Sequence, residues 1–280
     1  MAQKHFDEIA PTFCEINRGP LHDYILSLRD PYITPEETEK KIQDAIEMWT
    51  CSEKSIGLDA STYAHAIFSL GAKFPYLPEK ENSKALLVSP SIVFFERGIE
   101  TTSKHDKLHH SKLCTNALQL CRKAKYEHEF ASRVVDAMKD RNMSHTSADI
   151  NALMEMAAAR GDGDSLYELW NQVLEREDLS PHPFQLDSIV RFESASKPVD
   201  ELEELMLSYS KKHNIRPPMR SLEYIQDLAS GSTSNSSSEK ESYDHVATRI
   251  RAMKFERLVD LAGGIQNVRG SSGEDEDLLL

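Results

Sequence analysis

Cysteine is scarce. Cys14, Cys51, Cys114 and Cys121 are the only four in 280 residues, too few to staple a chain of this length, and a reducing compartment is the simplest setting for them. Glycine and proline are thin as well, at 11 and 12, and the alternating apolar and polar runs that announce strands are almost missing. Positive charge falls short of negative, with 33 Lys plus Arg against 46 Asp plus Glu and a formal net charge of −13. That deficit argues against a freestanding nucleic-acid coat or a polybasic membrane binder. Long apolar runs are absent too. The most apolar stretch, Ala85 to Phe95, is broken by Ser89, Pro90 and Ser91 and falls well short of the roughly 20 residues of a membrane-crossing helix, so no membrane span is expected. The N-terminus, Met1-Ala2-Gln3-Lys4-His5-Phe6-Asp7-Glu8, has neither a secretory apolar core nor the Arg-rich, acid-poor character of a transit peptide. Any organelle address is therefore absent, cleaved or unconventional.

Chemistry-bearing motifs are equally sparse. There is no Gly-rich phosphate loop, no His-Glu-x-x-His helix and no Cys-x-x-Cys pair, so catalytic residues, cofactors and a metal centre are not expected and the chain reads as a non-enzyme. Cys114 and Cys121 stand seven apart on one expected helix, downstream of His109 and His110, which suits two small core side chains better than a metal site. Asp162-Gly163-Asp164 lacks the downstream ligands of a calcium loop and reads as a turn. Trp49 and Trp170 fall at core positions of expected helices.

What the chain does have is helical periodicity, and above it a longer repeat. Apolar residues recur at three- and four-residue intervals, as on one face of a helix. Between Lys112 and Ala229 the whole pattern returns every 35 or 36 residues. Asn116-Ala117-Leu118 comes back as Asn151-Ala152-Leu153, and Leu153 is followed at steps of 36 by Ile189 and Ile225. Later positions align as Ala131, Leu166 and Leu202, as Val134, Leu169 and Leu205, as Val135, Trp170 and Met206, and as Met138, Val173 and Tyr209. The connecting loops agree, at Met143-Ser144-His145, Leu179-Ser180-Pro181 and Ile215-Arg216-Pro217.

Each unit divides into two helices of about three turns. In the clearest, Ala148 to Arg160 and Ser165 to Arg176 flank Gly161-Asp162-Gly163-Asp164. Gly161 suits a left-handed helix end, and Asp164 or Ser165 can cap the next helix. In the following unit Ala195-Ser196-Lys197-Pro198 makes the turn, with Pro198 at a helix start. A pair of short helices cannot bury its apolar face alone, so successive pairs must stack. The expected fold is all-α, a helical-hairpin repeat solenoid of about five to six helix pairs, right-handed or gently curved.

Around the well-formed repeats of 112–229 the organisation is looser. Residues 1–19 form an N-terminal extension, and 20–111 hold degenerate helical repeats: Pro20 to Arg29 with Pro35 to Thr50, then Ala60 to Gly71 with Pro90 to Glu100, with an insertion near 72–89. Residues 230–242 are a Ser/Thr/Asn/Gly-rich tract expected to be disordered. A C-terminal helix is expected over 243–262 and an acidic tail over 263–280, ending Leu278-Leu279-Leu280.

The loop of one unit, Val135-Asp136-Ala137-Met138-Lys139-Asp140-Arg141-Asn142-Met143-Ser144-His145, and the first-helix stretch Thr62-Tyr63-Ala64-His65-Ala66-Ile67 after Ile56-Gly57-Leu58-Asp59 resemble the pentatricopeptide repeat. In that family a 35-residue helix-turn-helix unit ends in Met-Lys-x-x-Gly-Ile-x-Pro-Asp and has a first helix built on Thr-Tyr-Asn-x-Leu-Ile. Tetratricopeptide repeats, with a 34-residue period, fit less well. The resemblance places good units at 112–146, 147–182 and 183–218 and degenerate ones at 20–59, 60–111 and 219–262. It implies single-stranded RNA binding in an organelle, one base per repeat. Carried onto this sequence, the base-reading pairs are Asn116 with Thr146, Asn151 with His182, and Asp187 with Pro218, with Ala64 in the first place of an earlier unit. Leu113, Ala148 and Phe184 take the places that sandwich bases. A mitochondrial location follows from the family alone.

Charge is unevenly spread. The stretch Lys104 to His145 is rich in Lys, Arg and His, and Lys112, Arg122, Lys123 and Lys125 are its candidate phosphate contacts. From Asp162 to Glu204, twelve acidic residues stand against three basic ones, which repels phosphate unless those carboxylates face away from it. A second basic set, Arg249, Arg251, Lys254 and Arg257, shares one helix face. Two functions remain open. One is an RNA-associated adaptor in organellar RNA metabolism or translation, within a ribonucleoprotein such as the mitochondrial ribosome, with single-stranded or ribosomal RNA and proteins of the complex as partners. The other is a protein-binding scaffold whose groove takes a helix or peptide.

Overall fold

The computed structural model describes residues 18–51, 57–77, 84–101, 106–124 and 127–230, together with Lys4 and Phe6. Several expectations lie outside those residues: most of the N-terminal extension, Lys104, Lys125, the Ser-rich tract, the 243–262 helix with its basic face, and the acidic tail. The described residues form eleven α-helices and no strand. They are α1 (Gly19–Ser27), α2 (Pro35–Thr50), α3 (Ala60–Gly71), α4 (Ala85–Thr101), α5 (Lys107–Lys123), α6 (His128–Asp140), α7 (Ser147–Arg160), α8 (Gly163–Glu175), α9 (Pro183–Glu193), α10 (Val199–His213) and α11 (Met219–Ser230). A single 3₁₀ turn, Phe74–Tyr76, lies between α3 and α4. None of these helices is long and apolar enough to cross a membrane.

Helix starts follow local chemistry. Thr34 caps α2, its hydroxyl accepting from the Glu37 N–H at 3.2 Å, with Pro35 at the first position and Glu36 and Glu37 in the first turn, where carboxylates complement the helix dipole. Asp59 caps α3 by accepting from the Thr62 N–H at 3.0 Å. Gly161 closes α7 with φ +74°, as expected of a residue without Cβ strain. Asn214 does the same for α10 at φ 52°.

The structure moves several boundaries. α4 begins at Ala85 rather than Pro90, because a proline in the second turn forfeits only one backbone bond where few bonds are yet closed. The insertion is correspondingly shorter. α5 starts at Lys107, ahead of the expected unit start at Lys112, since Asp106 caps it by accepting from the His109 N–H. The cap of α8 is Asp162, which accepts from the Ser165 N–H and hydroxyl, and not Asp164 or Ser165. Pro198 sits at the cap of α10, one position before the first helical residue.

The chain divides into two compact units, Met1–Ala152 and Leu153–Leu280, with the division inside α7. In the first, α1/α2, α3/α4 and α5/α6 are stacked hairpins whose first helices pack directly on one another, α3 lying against both α1 and α5. α3 is enclosed on every side, all of its residues except Phe68 being buried. Small residues make this possible. Gly98 on α4 lets Leu113 of α5 and Tyr63 of α3 approach so closely that a Cβ there would lie 2.7 Å from Leu113 Cδ2 and 3.0 Å from Tyr63 Cβ. The second unit packs α9, α10 and α11 around Leu186, Val190, Leu202, Met206, Leu222 and Ile225. Trp49 and Trp170 are both buried second-helix residues, as the repeat pattern requires. Cys114 and Cys121 are fully buried, and burial pushes the Cys114 thiol up to about 12 and the Cys121 thiol in the same direction, which leaves neither as a ready thiolate ligand.

Gly98→Val will destabilise the first unit by about 2 kcal/mol, because the branched side chain overpacks the Tyr63–Leu113 contact. Urea unfolding followed by far-UV circular dichroism measures it, and an unchanged midpoint would contradict the close approach of α3, α4 and α5.

Candidate nucleic-acid interface

The residues singled out from the sequence lie mostly on first helices, but many of their polar atoms are already engaged. Leu113 is wholly buried under Gly98 and has no face to offer a base. Asn116 is half-buried on α5, its Nδ2 donating to the Ala64 carbonyl of α3 at 2.8 Å. Thr146 caps the start of α7 reciprocally with Asp149: the Thr146 N–H and hydroxyl donate to Asp149 Oδ2 at 2.7 and 2.8 Å, while the Asp149 N–H donates to Thr146 Oγ1 at 3.2 Å. Asp149 also accepts from Thr115 of α5 at 2.7 Å. Asn151 is half-buried, and its Oδ1 has no hydrogen-bond partner among the described residues.

The second unit presents a row of flat side chains. His182 caps α9: its Nδ1 accepts from the Phe184 N–H at 3.3 Å, and its own N–H donates to Gln185 Oε1 at 2.8 Å. The cap holds the His182 ring against Phe184, with centroids 5.0 Å apart and planes 30° from parallel. The exposed Arg220 of α11 places its guanidinium over the same ring, 5.7 Å from the Phe184 centroid. Beside this row, Asp187 joins α9 to α11, its Oδ1 accepting from the Ser221 hydroxyl at 2.7 Å and its Oδ2 from Arg191 Nε at 2.9 Å. Arg220 and Ser221 were missed in the sequence, although Arg220 stands 36 residues after Phe184 and so occupies the same register on the next first helix.

The acidic stretch segregates by helix. Its exposed carboxylates, among them Asp164, Glu168, Asp178, Asp200, Glu201 and Glu204, belong to the second helices α8 and α10 or to the loop between α8 and α9. The first helix α9 carries Asp187, neutralised as above, and Glu193, which accepts from the Tyr167 hydroxyl and pairs with Lys197 at 3.5 Å. Among the basic candidates, Arg122 and Lys123 occupy the last turn of α5, where they complement the helix dipole. Lys112 is different, because its Nζ lies 2.7 Å from His65 Nε2.

That contact belongs to a larger polar cluster between α1, α3 and α5. The His22 and His65 rings meet edge-on at 4.6 Å. His22 Nε2 lies 2.9 Å from Thr62 Oγ1, the Thr62 hydroxyl donates to Asp59 Oδ1 at 3.1 Å, and Arg18 pairs with Asp59 Oδ2 at 3.2 Å. Burial, then the Lys112 ammonium and the His22 ring, hold the His65 imidazole down to about 4. Burial likewise lowers His22, against the pull of Asp59, and lowers Lys112. Among the described residues no group of three His, Cys, Asp or Glu side chains is placed to hold a metal ion.

No protein-family model matches the chain, and no curated protein matches it in sequence.

Two outcomes follow from these geometries. Asp187→Ala will cost about 1–3 kcal/mol, since it removes two hydrogen bonds and strands the buried Ser221 hydroxyl; thermal unfolding reads it. Acidification will destabilise the first unit. His65 binds its proton less readily folded than unfolded, so its contribution is complete above about pH 6.5 and is lost as pH falls toward about 4. With Lys112, His22 and Arg29 opposing protonation and Asp59 alone favouring it, the loss is on the order of 2 kcal/mol. In His65→Gln the slope of stability between pH 7 and 4.5 should flatten.

Proposed function

We propose that this chain is a non-enzymatic, pentatricopeptide-like helical-repeat protein that associates with single-stranded RNA. Its setting is organellar, specifically mitochondrial, RNA metabolism or translation, as an adaptor in a ribonucleoprotein such as the mitochondrial ribosome. The 35- to 36-residue period and the stacked helical hairpins support the reading. The observation that carries it is the His182–Phe184–Arg220 row. The half-exposed imidazole of His182 stacked on Phe184 and the exposed guanidinium of Arg220 put flat π surface and a cation side by side, the combination that holds single strands without demanding a sequence. The exposed carboxylates on α8, on α10 and in the loop before α9 leave α9, which carries Phe184, with only compensated acids, while α11 adds the exposed Glu223 and Asp227 on the helix of Arg220.

A second reading, a protein-binding scaffold, draws on the commitment of Asn116, Thr146 and Asp187 to contacts within the chain, which removes hydrogen-bonding capacity from base readout. Titration with a fluorescently labelled mixed-sequence single-stranded RNA at roughly 50 and 200 mM salt separates the two. Binding that weakens with salt, and falls about five- to tenfold in both Phe184→Ala and Arg220→Ala, is the expected result. Absence of binding at low salt would overturn the RNA reading and direct attention to protein partners.

A further inference from the structure

We propose that Arg18, His22, His65 and Lys112 form a binding site for a phosphate group in the first unit. The inference stands apart from base stacking, which concerns the second unit. It starts from the protons. A lysine ammonium can only donate, so Lys112 Nζ donates to His65 Nε2, and the neutral His65 ring must carry its own proton on Nδ1. His65 is 8% exposed, and its Nδ1 has no partner among the described residues. On the other side of the T-shaped His22–His65 contact, the Thr62 hydroxyl gives its proton to Asp59. Thr62 Oγ1 therefore accepts from His22, whose proton is on Nε2.

The charges do not balance. Lys112, an exposed residue, turns its ammonium onto a neutral imidazole and meets no carboxylate among the described residues. The one carboxylate in the cluster, Asp59, is taken up by Arg18, the Thr62 N–H and the Thr62 hydroxyl, and stands 4.0 Å from His22 Nε2. Lys112 keeps two N–H groups to donate, its side chain is solvent-accessible, and both imidazoles can take up a proton when an anion arrives. A tetrahedral dianion, or the diester of a nucleic-acid backbone, supplies the several acceptor oxygens that this set lacks. His22, His65 and Lys112 stand on α1, α3 and α5, while Arg18, just ahead of α1, reaches Asp59 and the Gly57 carbonyl just ahead of α3.

Histidine Cε1–H resonances of the full chain report on the site directly. Inorganic phosphate titrated at constant ionic strength against chloride should shift the His22 and His65 signals saturably, and raise the His65 midpoint from about 4 toward its ordinary value. Lys112→Met and His22→Gln should each weaken the response about tenfold, with unchanged far-UV circular dichroism showing that both variants fold. An arm with a short oligouridylate identifies the source. Shifts with the oligonucleotide at far lower concentration than with phosphate support an RNA backbone as occupant, and shifts with phosphate alone support a free phosphorylated molecule. No saturable shift with either probe, or the same response in both variants, overturns the site.

Discussion

The burial of α3 on all sides is the constraint from which the first unit follows. A helix enclosed by α1, α4 and α5 cannot be amphipathic in the usual sense, and Ala60-Ser61-Thr62-Tyr63-Ala64-His65-Ala66 is accordingly a run of small residues interrupted by polar ones. The small residues allow neighbouring backbones to come close, as Gly98 does from α4. The polar ones have to be answered from outside the helix, because an unpaired buried group costs as much as the bond it forgoes. Ser69 donates to the Ile25 carbonyl of α1 at 2.8 Å, Asn116 reaches the Ala64 carbonyl, and Lys112 reaches His65. Each of these bonds runs from one first helix to another, so polar side chains share in fixing the register between hairpins.

The same logic holds in the second unit with different residues. Asp187 and Ser221 tie α9 to α11, and the apolar cluster of Leu186, Val190, Leu222 and Ile225 closes behind them. A carboxylate buried to 7% exposure is tolerable there because both of its oxygens accept hydrogen bonds, one of them charge-assisted from Arg191.

Helix pairing was readable from the sequence because apolar spacing and caps are local. Ala60 begins α3 where Asp59 can cap it, Gly161 ends α7, and Trp49 and Trp170 face inward. The misplaced starts are those where two local signals compete. Pro90 reads as a first helical residue, yet Ala85 to Val88 can wind the turn before it. Lys112 reads as a repeat start, yet Asp106 is a better cap. The candidate site was less legible, for a physical reason. An asparagine on a first helix has the same spacing whether its amide meets a base edge or a backbone carbonyl 52 residues away, and periodicity records only what is apolar. Phe184 could be found by its register, but its neighbours His182 and Arg220 become a row only once the cap and the α9–α11 packing orient them.

This division of labour bears on what kind of recognition the molecule can support. Hydrogen-bond capacity is finite: Asp187 Oδ1 and the Asn116 amide nitrogen tie helices together, Asp187 Oδ2 holds Arg191 and the Thr146 hydroxyl caps α7, and a group so used cannot discriminate one base edge from another without giving up that bond. What remains is of another kind, a ring with an imidazole and an exposed guanidinium against it in one unit and an exposed ammonium beside two imidazoles in the other. Stacking and charge act on features that every nucleotide shares, whereas base readout needs unspent donors and acceptors. On the RNA reading proposed above, an array that spends its polar residues on its own packing would hold a strand by stacking and charge, with sequence selection left to whatever else is bound beside it.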